Sequence, residues 1–233
     1  MTIINSIYEA HHGSFLTVGI TGSVAVGKST LAAELAQGLN ELGLIARVIS
    51  TDDFLKSNQE LEAEGRFDQK GFPISYHLDE LTSLIQNFKA GHLQKTINKY
   101  SQTLADIIPG KKETIDRPDV LIIEGVVALQ LPTEFLDQTI FVEAKISDIK
   151  DWYLQRNFLA TVKASQEPES WRYQYKNMPI QEFYQLAMDI WEKTNQANYD
   201  NYIAPTRSLA DWILILNQYH QIVDTIAGPR KNN

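Results

Sequence analysis

The sequence predicts an α/β fold with a doubly wound, mainly parallel sheet. Short apolar runs rich in β-branched residues alternate along the chain with segments whose apolar residues recur at helical spacing, which is typical of this class. The predicted strands are 15–22, 44–50, 119–124, 139–143 and 211–216. A long helical stretch at about 147–196 follows the fourth strand, where we predict a lid over one edge of the sheet.

A glycine loop between the first predicted strand and the first predicted helix is the strongest motif. Residues 22–29 fit the pattern G-x-x-x-x-G-K-[ST], and a strand before and a helix after give that pattern the context of a phosphate site. The two glycines let the backbone bend around phosphate oxygens, and the loop amides and helix N-terminus attract an anion. We therefore predict a P-loop NTPase-type fold; a flexible glycine loop without a ligand is the alternative. The residues predicted to bind the nucleoside triphosphate are Gly22, Ser23, Val24, Ala25, Val26, Gly27, Lys28, Ser29 and Thr30.

Acidic residues at the ends of two other strands supply the remaining parts of a phosphoryl-transfer site. We expect Lys28 to reach the β- and γ-phosphates and the Ser29 hydroxyl to bind the magnesium ion that bridges them. Glu124 closes an apolar run typical of a central strand, which places its carboxylate near magnesium or its waters. Asp52 ends the second strand and is the candidate base for an acceptor hydroxyl. Asp53 is expected to point to the opposite face and to serve a helix cap or turn.

Composition narrows the class of protein. The 233 residues suffice for a single domain over 1–233, with 1–14 as a short polar lead-in. The net charge of −8 argues against nucleic acid as the main partner but allows a local basic pocket for a small phosphorylated ligand. The sequence has no cysteine, which excludes disulfides and thiolate metal sites. We expect a cytoplasmic protein without membrane contact, because no apolar stretch reaches bilayer length and the first residues are unlike a signal peptide.

Two arginines stand out in the helical stretch. A helix carrying Arg156 or Arg172 is placed to close over the triphosphate and neutralise the transferring phosphoryl group; a surface salt bridge is the alternative. Most aromatic residues in this stretch are expected to pack between helices. The polar segment 55–77 is long enough to be a functional loop, and 96–102 is a short strand or a loop crossing the site. The sequence lacks the guanine-reading pattern Asn-Lys-x-Asp, which disfavours a regulatory GTPase.

Further segments, taken in order, resemble one enzyme family. Besides the glycine loop, they are Thr51-Asp52-x-Phe54-Leu55, Lys70-Gly-Phe-Pro-x-Ser-Tyr76, Tyr100-Ser101, Asp119-x-Leu-Ile-x-Glu124-Gly125, Trp152-Tyr153-x-x-Arg156, Asn195 and Ile203-x-Pro205-Thr206-Arg207. From about residue 15 to residue 224 the chain resembles the bacterial type I pantothenate kinases. The resemblance implies a dimeric P-loop enzyme that uses ATP and Mg²⁺ to phosphorylate the terminal hydroxyl of pantothenate, the first step towards coenzyme A.

The resemblance also implies roles for single residues. Asp52 corresponds to the general base, and Lys28 and Arg156 to the groups that stabilise the transferred phosphoryl group. The lid carries part of the acceptor site, whose implied residues are Tyr100, Tyr153 and Asn195. His220 falls where the family has a histidine close to the nucleotide base. A helix cap for Asp52 and a turn for Asn195 are the structural alternatives.

The chain departs from the family at positions that serve coenzyme A. Gln102 stands where the family has a histidine lining the nucleotide and coenzyme A sites, and Ala33 where an arginine pairs with coenzyme A phosphates. Gln196 replaces an aromatic residue. Polar or small residues replace phenylalanines along the lid at Asn157, Ala160 and Ser165. Because charge partners and apolar surface are both lost, we predict weak or absent feedback inhibition by coenzyme A.

These departures leave two other functions open. The pocket can be tuned to another small hydroxyl compound, as in uridine kinases and phosphoribulokinases, with the same fold and phosphate chemistry. A nucleotide-gated regulator that binds ATP without an acceptor is the non-enzymatic alternative. The acid at position 52 and the substrate-like positions 100, 153 and 195 argue against a regulator.

Overall fold

The computed structural model describes residues 3–232, which contain eight strands and six α-helices. The strands are β1 (Leu16–Gly22), β2 (Ala46–Ser50), β3 (Gln94–Ser101), β4 (Asp106–Asp116), β5 (Val120–Glu124), β6 (Gln138–Glu143), β7 (Trp212–Leu216) and β8 (Ile222–Ala227). The helices are α1 (Ile3–His11), α2 (Lys28–Glu41), α3 (Asn58–Ala63), α4 (Leu78–Lys89), α5 (Ile146–Ala164) and α6 (Ile180–Ile190).

Six of the strands form one sheet in the order β2-β5-β1-β6-β7-β8. β1 lies inside the sheet between β5 and β6 and is parallel to both, and β2 and β7 extend the parallel arrangement outwards. The five predicted strands overlap β1, β2, β5, β6 and β7, so the doubly wound, mainly parallel sheet is confirmed. β8, which was not predicted, adds a largely exposed antiparallel edge.

Alternate residues of the central strands contribute to two cores, one on each face of the sheet. Val18, Ile20 and Ile122 pack with residues of α1, α2 and α5 on one face. Leu121 and Ile123 pack with α4 and with the apolar residues of β3 and β4 on the other face. Successive residues of a strand point to opposite faces, so a continuous apolar run is what a strand buried on both faces requires.

The predicted polar lead-in at 1–14 is wrong over most of its length. Residues 3–11 form α1, and residues 1–2 of that prediction lie outside the described residues. Ile3 and Ile7 are buried in the core, and Ile4 packs against Gly38 of α2 so closely that a Cβ there would overlap its side chain. Three isoleucines at positions 3, 4 and 7 have helical spacing, but the pattern is too short to be distinctive in the sequence.

A hairpin made of β3 and β4 stands apart from the main sheet. The segment 96–102 is therefore a strand, as one of the two predicted alternatives had it, whereas β4 was not predicted. The middle of β4 is exposed on both faces, so it lacks the alternation of apolar and polar residues that identifies a half-buried strand.

The segment 55–77 is a folded loop that returns to the sheet edge. It contains α3, whose first turn is closed by a capping box in which Ser57 and Glu60 bond each other's backbone N–H. An isolated bridge then pairs Leu55 with Tyr76, which brings the end of the loop back to its beginning. None of the helices within residues 3–232 is long and apolar enough to span a bilayer.

The stretch at 147–196 is helical as predicted. It comprises α5, α6 and a π-helical segment, Trp191–Gln196, and a second π-helical segment follows at Tyr199–Ile203. Tyr153 and Trp191 pack with ring centroids 5.3 Å apart, and both are buried. Aromatic packing of this kind holds the helices of the lid to one another.

Candidate active site

The phosphate loop connects β1 to α2 and depends on its glycines. Gly22 has φ of 151° and Gly27 has φ of 101°, in the region that favours glycine. A Cβ at Gly22 would overlap the carbonyl oxygen of Val142 on the neighbouring strand β6. Ala25 also has a left-handed conformation, with φ of 64°. This strained loop leads directly into α2, whose first residue is Lys28.

Lys28, Ser29 and Glu124 meet at the carboxyl ends of β1 and β5. The Lys28 ammonium is buried and donates a hydrogen bond of 2.8 Å to the carbonyl oxygen of Ser23. The Ser29 hydroxyl donates to Glu124 Oε1 at 3.0 Å. β1 and β5 are adjacent and parallel, which brings the acid at the end of β5 level with the loop.

A buried hydroxyl in the loop has no partner. Ser23 Oγ is shielded from solvent and forms no hydrogen bond within the described part of the chain. Buried polar atoms are almost always hydrogen-bonded, so an orphan in this position fits a loop that is completed by phosphate oxygens. Of the other motif residues, Val26 is buried in the core, Val24 packs against that core, and Thr30 is exposed in the first turn of α2.

Burial lowers the pKa of the Lys28 ammonium to about 8. The negative charge of Glu124 opposes this shift, the positive charge of Arg156 adds to it, and Asp52 again opposes it. A desolvated cation among two carboxylates and an arginine is suited to bind an anion, because the anion restores the favourable electrostatic environment that burial removes.

Asp52 lies where β2 ends and the chain turns towards the hairpin. Its Oδ2 accepts a hydrogen bond of 3.2 Å from the Gln102 amide, and its Oδ1 lies 3.5 Å from the Tyr76 hydroxyl, which donates. Burial is the main cause of a raised pKa of the Asp52 carboxyl, and repulsion by Glu124 raises it further. An acid with a raised pKa between a phosphate site and a pocket is a candidate general base.

Asp53 was predicted to serve a helix cap or a turn; it lies in a turn, does not cap a helix, and its carboxylate anchors the hairpin. The segment Thr51–Phe54 is a turn of 3-10 helix rather than an extended strand, and Ser50 provides its cap. The Asp53 carboxylate is buried and accepts hydrogen bonds from the Tyr100 backbone N–H at 2.9 Å and from Lys99 Nζ at 3.0 Å. Asp53 therefore binds partners other than those of Asp52, and the segment is not the extended strand that the predicted opposite orientation assumed.

The acceptor side of the site combines the hairpin and the lid. Tyr100 projects from β3, and burial raises the pKa of its hydroxyl, which stays neutral at physiological pH. Tyr153 of α5 is buried, and burial raises the pKa of its hydroxyl, a shift that the nearby Asn195 side chain of the π-helical segment partly offsets. Arg156, one turn after Tyr153, is close enough for its charge to act on Lys28 and for Asp52 to act on it. Tyr100 is near enough to Asp52 for the carboxylate to raise the pKa of its hydroxyl further, and Arg172 acts on the pKa of both Tyr100 and Tyr153.

His220 lies against the phosphate loop. Its ring stacks on Trp152 with centroids 3.6 Å apart, and its Nε2 is 3.4 Å from the carbonyl oxygen of Ala25. The residue has a left-handed backbone, with φ of 59°, at the tip of the turn between β7 and β8. A flat ring fixed beside the loop fits the predicted position near a nucleotide base.

Sequence reasoning missed two contributors to the site. Tyr76 was quoted only as the end of a motif, yet its buried hydroxyl contacts the candidate base. Gln102 was noted as a departure in the coenzyme A region, whereas its amide contacts Asp52 itself. The position of Tyr76 in a seven-residue motif was the available signal; nothing local to Gln102 indicated its contact.

The oxygen ligands near the loop fit a hard cation that is held partly by phosphate. Residues 3–232 contain no cluster of three His, Asp or Glu side chains that would hold a metal alone. Mg²⁺ typically takes only one or two protein ligands and completes its shell with water and substrate phosphates. The Ser29 hydroxyl and the Glu124 carboxylate, already in contact, are such a pair.

Comparison with known families agrees with this arrangement of loop, acid and lid. The phosphoribulokinase / uridine kinase family matches residues 17–160. The chain belongs to this family. Within it, a pantothenate kinase from Limosilactobacillus fermentum is 38% identical over 214 residues, covering 88% of this chain and 70% of the relative. A pantothenate kinase from Lacticaseibacillus casei is 39% identical over 220 residues, covering 91% and 71% respectively.

Solved structures of other kinases share the fold at low sequence identity. D-glycerate 3-kinase from Cryptococcus neoformans matches with a TM-score of 0.65 at 16% identity, covering 96% of each chain. Phosphoribulokinase from Rhodobacter matches with a TM-score of 0.58 at 14% identity, covering 87% of this chain and 70% of that one. The predicted P-loop kinase fold and the resemblance to bacterial pantothenate kinases are therefore confirmed.

Proposed function

We propose that this chain transfers the γ-phosphoryl group of ATP to the terminal hydroxyl group of pantothenate, forming 4'-phosphopantothenate. The observation that carries the proposal is the position of Asp52, which interacts electrostatically with Lys28 and Glu124 and is hydrogen-bonded to Tyr76 and Gln102. A single carboxylate thus joins the phosphate loop to the acceptor pocket. The bacterial relatives named pantothenate kinase support the choice of acceptor.

The phosphate loop is proposed to hold the triphosphate. Lys28 exchanges its bond to the Ser23 carbonyl for phosphate oxygens, and the Ser23 hydroxyl gains the partner that it lacks. Arg156 extends from the lid towards the same phosphate and opposes the negative charge that spreads over the transferring group. His220 and Trp152 provide a flat surface beside the nucleotide base.

Asp52 is proposed to be the general base. The acceptor hydroxyl oxygen forms a bond to the γ-phosphorus, the bond between that phosphorus and the β–γ bridging oxygen breaks, and ADP leaves. Asp52 accepts the hydroxyl proton, for which its raised pKa makes it a better base than an ordinary aspartate. Gln102 and Tyr76 hold the carboxylate in place.

We propose that Ser29 and Glu124 hold Mg²⁺ together with phosphate oxygens, as their existing contact allows. Bound Mg²⁺ supplies positive charge to the β- and γ-phosphate oxygens. Tyr100, Tyr153 and Asn195 are proposed to hold the acceptor, with the two hydroxyls as neutral hydrogen-bond donors.

A second candidate, kinase activity on another hydroxyl metabolite, is favoured by one observation. The matched family also includes uridine kinases and phosphoribulokinases, and Gln102 places a residue that differs from the pantothenate kinase pattern directly on the candidate base. Both candidates share the donor side and differ only in the acceptor.

An acceptor screen distinguishes them. Purified protein with ATP and Mg²⁺ is assayed for ADP release with pantothenate, uridine, cytidine, glycerate and ribulose 5-phosphate in turn. We expect turnover with pantothenate and at most background rates with the others. Turnover with another compound and none with pantothenate would refute the proposed acceptor, and ATP binding without any turnover would favour the regulator.

We also propose weak feedback by coenzyme A. Position 33 is an exposed alanine on α2 that offers no charge to a phosphate, and the Gln102 amide is already engaged by Asp52. In the coupled assay, we expect micromolar coenzyme A to leave the rate unchanged at ATP concentrations near KM. Inhibition at micromolar coenzyme A that is competitive with ATP would contradict this prediction.

Some expectations extend beyond the site. We propose that the chain acts as one domain over residues 1–233, as a homodimer, in the cytoplasm, and with neither nucleic acid nor membrane as a partner. The acidic net charge of −8 and the similarity to pantothenate kinases support this set. Light scattering of the purified protein tests the dimer.

A further inference from the structure

Two of the seven arginines lack an acceptor on the protein. Neither Arg156 nor Arg172 donates a side-chain hydrogen bond or forms an ion pair with any residue in the described range 3–232. The other five arginines bond a carboxylate or a backbone carbonyl: Arg47, Arg66, Arg117, Arg207 and Arg230. Burial is the main cause of a lowered pKa of the Arg172 guanidinium, and the positive charge of Arg156 lowers it further, so the two groups are near enough to repel. Such a pair calls for an anionic ligand.

Arg172 is held in place by its neighbours although its charge is unpaired. Its guanidinium lies over the Trp171 ring, with the central carbon 4.4 Å from the ring centroid. The Trp171 backbone N–H donates to the Thr103 carbonyl in the hairpin turn at 3.0 Å, and the buried Ser170 hydroxyl caps the same short helix. Stacking fixes the plane of the guanidinium and leaves its N–H edges available to a ligand.

The two arginines interact with different parts of the candidate site. Arg156 acts on Lys28 and is acted on by Asp52, so it belongs to the phosphoryl-transfer end. The charged and titratable groups that act on Arg172 include Tyr153, Arg156 and Tyr100, which line the acceptor side. Asp52 acts on the charge of Arg156 but is not among the groups that act on Arg172, which interacts instead with two residues proposed to hold the acceptor, Tyr100 and Tyr153.

Resting on the proposed function, we propose that Arg172, backed by Trp171, binds the carboxylate of the acceptor and thereby selects anionic acceptors over neutral ones. The terminal hydroxyl and the carboxylate of pantothenate are at opposite ends of the molecule. A hydroxyl at Asp52 thus directs the carboxylate away from the phosphate loop, towards the side on which Arg172 lies. A planar guanidinium matches the two oxygens of a carboxylate with two parallel hydrogen bonds.

The test compares Arg172→Gln with wild type on pantothenate and on the analogue whose carboxylate is replaced by a neutral carboxamide. Lys163→Gln is the matched control, because it removes one positive charge from an exposed site on the same lid. We expect Arg172→Gln to raise KM for pantothenate about 10- to 100-fold with little change in kcat, as for a lost bond between charged groups. The carboxamide should be turned over equally by all three proteins, and Arg172→Lys should fall between wild type and Arg172→Gln on pantothenate.

The outcomes separate this proposal from the proposed function. Equal effects of Arg172→Gln on both compounds, or no effect on either, would overturn the carboxylate subsite while leaving the kinase activity standing. If wild type turns over glycerate but not pantothenate, pantothenate is not the acceptor. The carboxylate subsite is then tested by comparing Arg172→Gln with wild type on glycerate and on its amide. If no compound is turned over, calorimetric titration with pantothenate and the carboxamide measures affinity directly; equal affinities, or no binding, would overturn the subsite.

Discussion

The two halves of the site differ in how their charged groups are satisfied. In the phosphate-binding half, Lys28 bonds the Ser23 carbonyl and Glu124 accepts from Ser29, so both charged groups have partners before any ligand arrives. In the acceptor half, Arg172 has no protein acceptor among the described residues, and neither has Arg156 at the phosphoryl-transfer end beside it. A preorganised phosphate loop suits a triphosphate shared by many kinases, whereas an acceptor side with an unpaired cation depends on its substrate for completion.

The halves also differ in how they are assembled. The phosphate loop is one continuous segment between β1 and α2. It lies at the sheet edge where the carboxyl ends of β1 and its parallel neighbour β5 meet. The acceptor half takes Tyr100 from the hairpin, Tyr153 from α5 and Asn195 from a π-helical segment. Its geometry therefore depends on several long-range contacts, notably the bonds from Asp53 to the hairpin. Asp52 interacts with both halves, so we expect its substitution to have the largest effect, stopping transfer to the acceptor while ATP still binds.

Asp52→Asn should abolish transfer and spare ATP binding. The asparagine keeps the size of the side chain but cannot accept the hydroxyl proton, so we expect kcat to fall about 10²- to 10⁴-fold. The dissociation constant for ATP, measured by calorimetry, should stay within about threefold because Lys28 and the loop are untouched. Asp79→Asn, an exposed carboxylate in the first turn of α4, is the matched control. Full turnover by Asp52→Asn would remove the base assignment.

Gly125→Ala should destabilise the contact between the end of β5 and the turn Thr51–Phe54, which carries Asp52. Gly125 follows Glu124, has φ of 153°, and faces Thr51 so closely that a Cβ would overlap the threonine side chain. Strain and overpacking together should lower the free energy of unfolding by about 3 kcal/mol in urea titrations. Gly43→Ala controls for backbone strain alone, because Gly43 has φ of 90° but no atom lies within 4 Å of an added Cβ. This control substitution should lower the free energy of unfolding by about 1 kcal/mol. Equal costs at the two positions would contradict the packing argument.

The same contrast explains what the sequence could predict. The phosphate loop and the acid of β5 were predictable because a contiguous motif and an apolar run carry their own structural context. The hairpin was predicted only in part, since the exposed strand β4 has no periodic pattern. The roles of Asp53 and Gln102 were not predictable, because each depends on a partner nearly 50 residues away in the chain. Residue types in the acceptor half came from family resemblance, and their assembly only from the fold.

The pH dependence of ATP capture should report on the buried lysine of the donor half. Burial lowers the pKa of Lys28 to about 8 in the free enzyme, and the protonated form is the one that attracts phosphate. We therefore expect kcat/KM for ATP to be independent of pH just below the pKa of Lys28. Above that pKa, kcat/KM for ATP should fall about tenfold per pH unit. The bound triphosphate raises the pKa of Lys28, so kcat at saturating ATP should hold to higher pH. A level kcat/KM up to pH of about 9.5 would contradict the role of Lys28.

The smallest effect is expected at Gln102, on the acceptor side of Asp52. Its amide donates a hydrogen bond of 3.2 Å to Asp52 Oδ2 from an exposed position, so Gln102→Ala should cost about 1 kcal/mol of transition-state stabilisation. We expect kcat to fall about fivefold while KM for ATP is unchanged, because the donor half has its own partners. Gln102→Glu places a second carboxylate against Asp52 and should shift the acid limb of the kcat profile to higher pH. Gln185→Ala, which removes an exposed amide that donates to the Asp189 carboxylate on α6, is the control. If Gln102→Ala changes KM for ATP instead of kcat, the amide acts on nucleotide binding rather than on the base. Gln102 would then belong to the phosphate-binding half and not to the acceptor half.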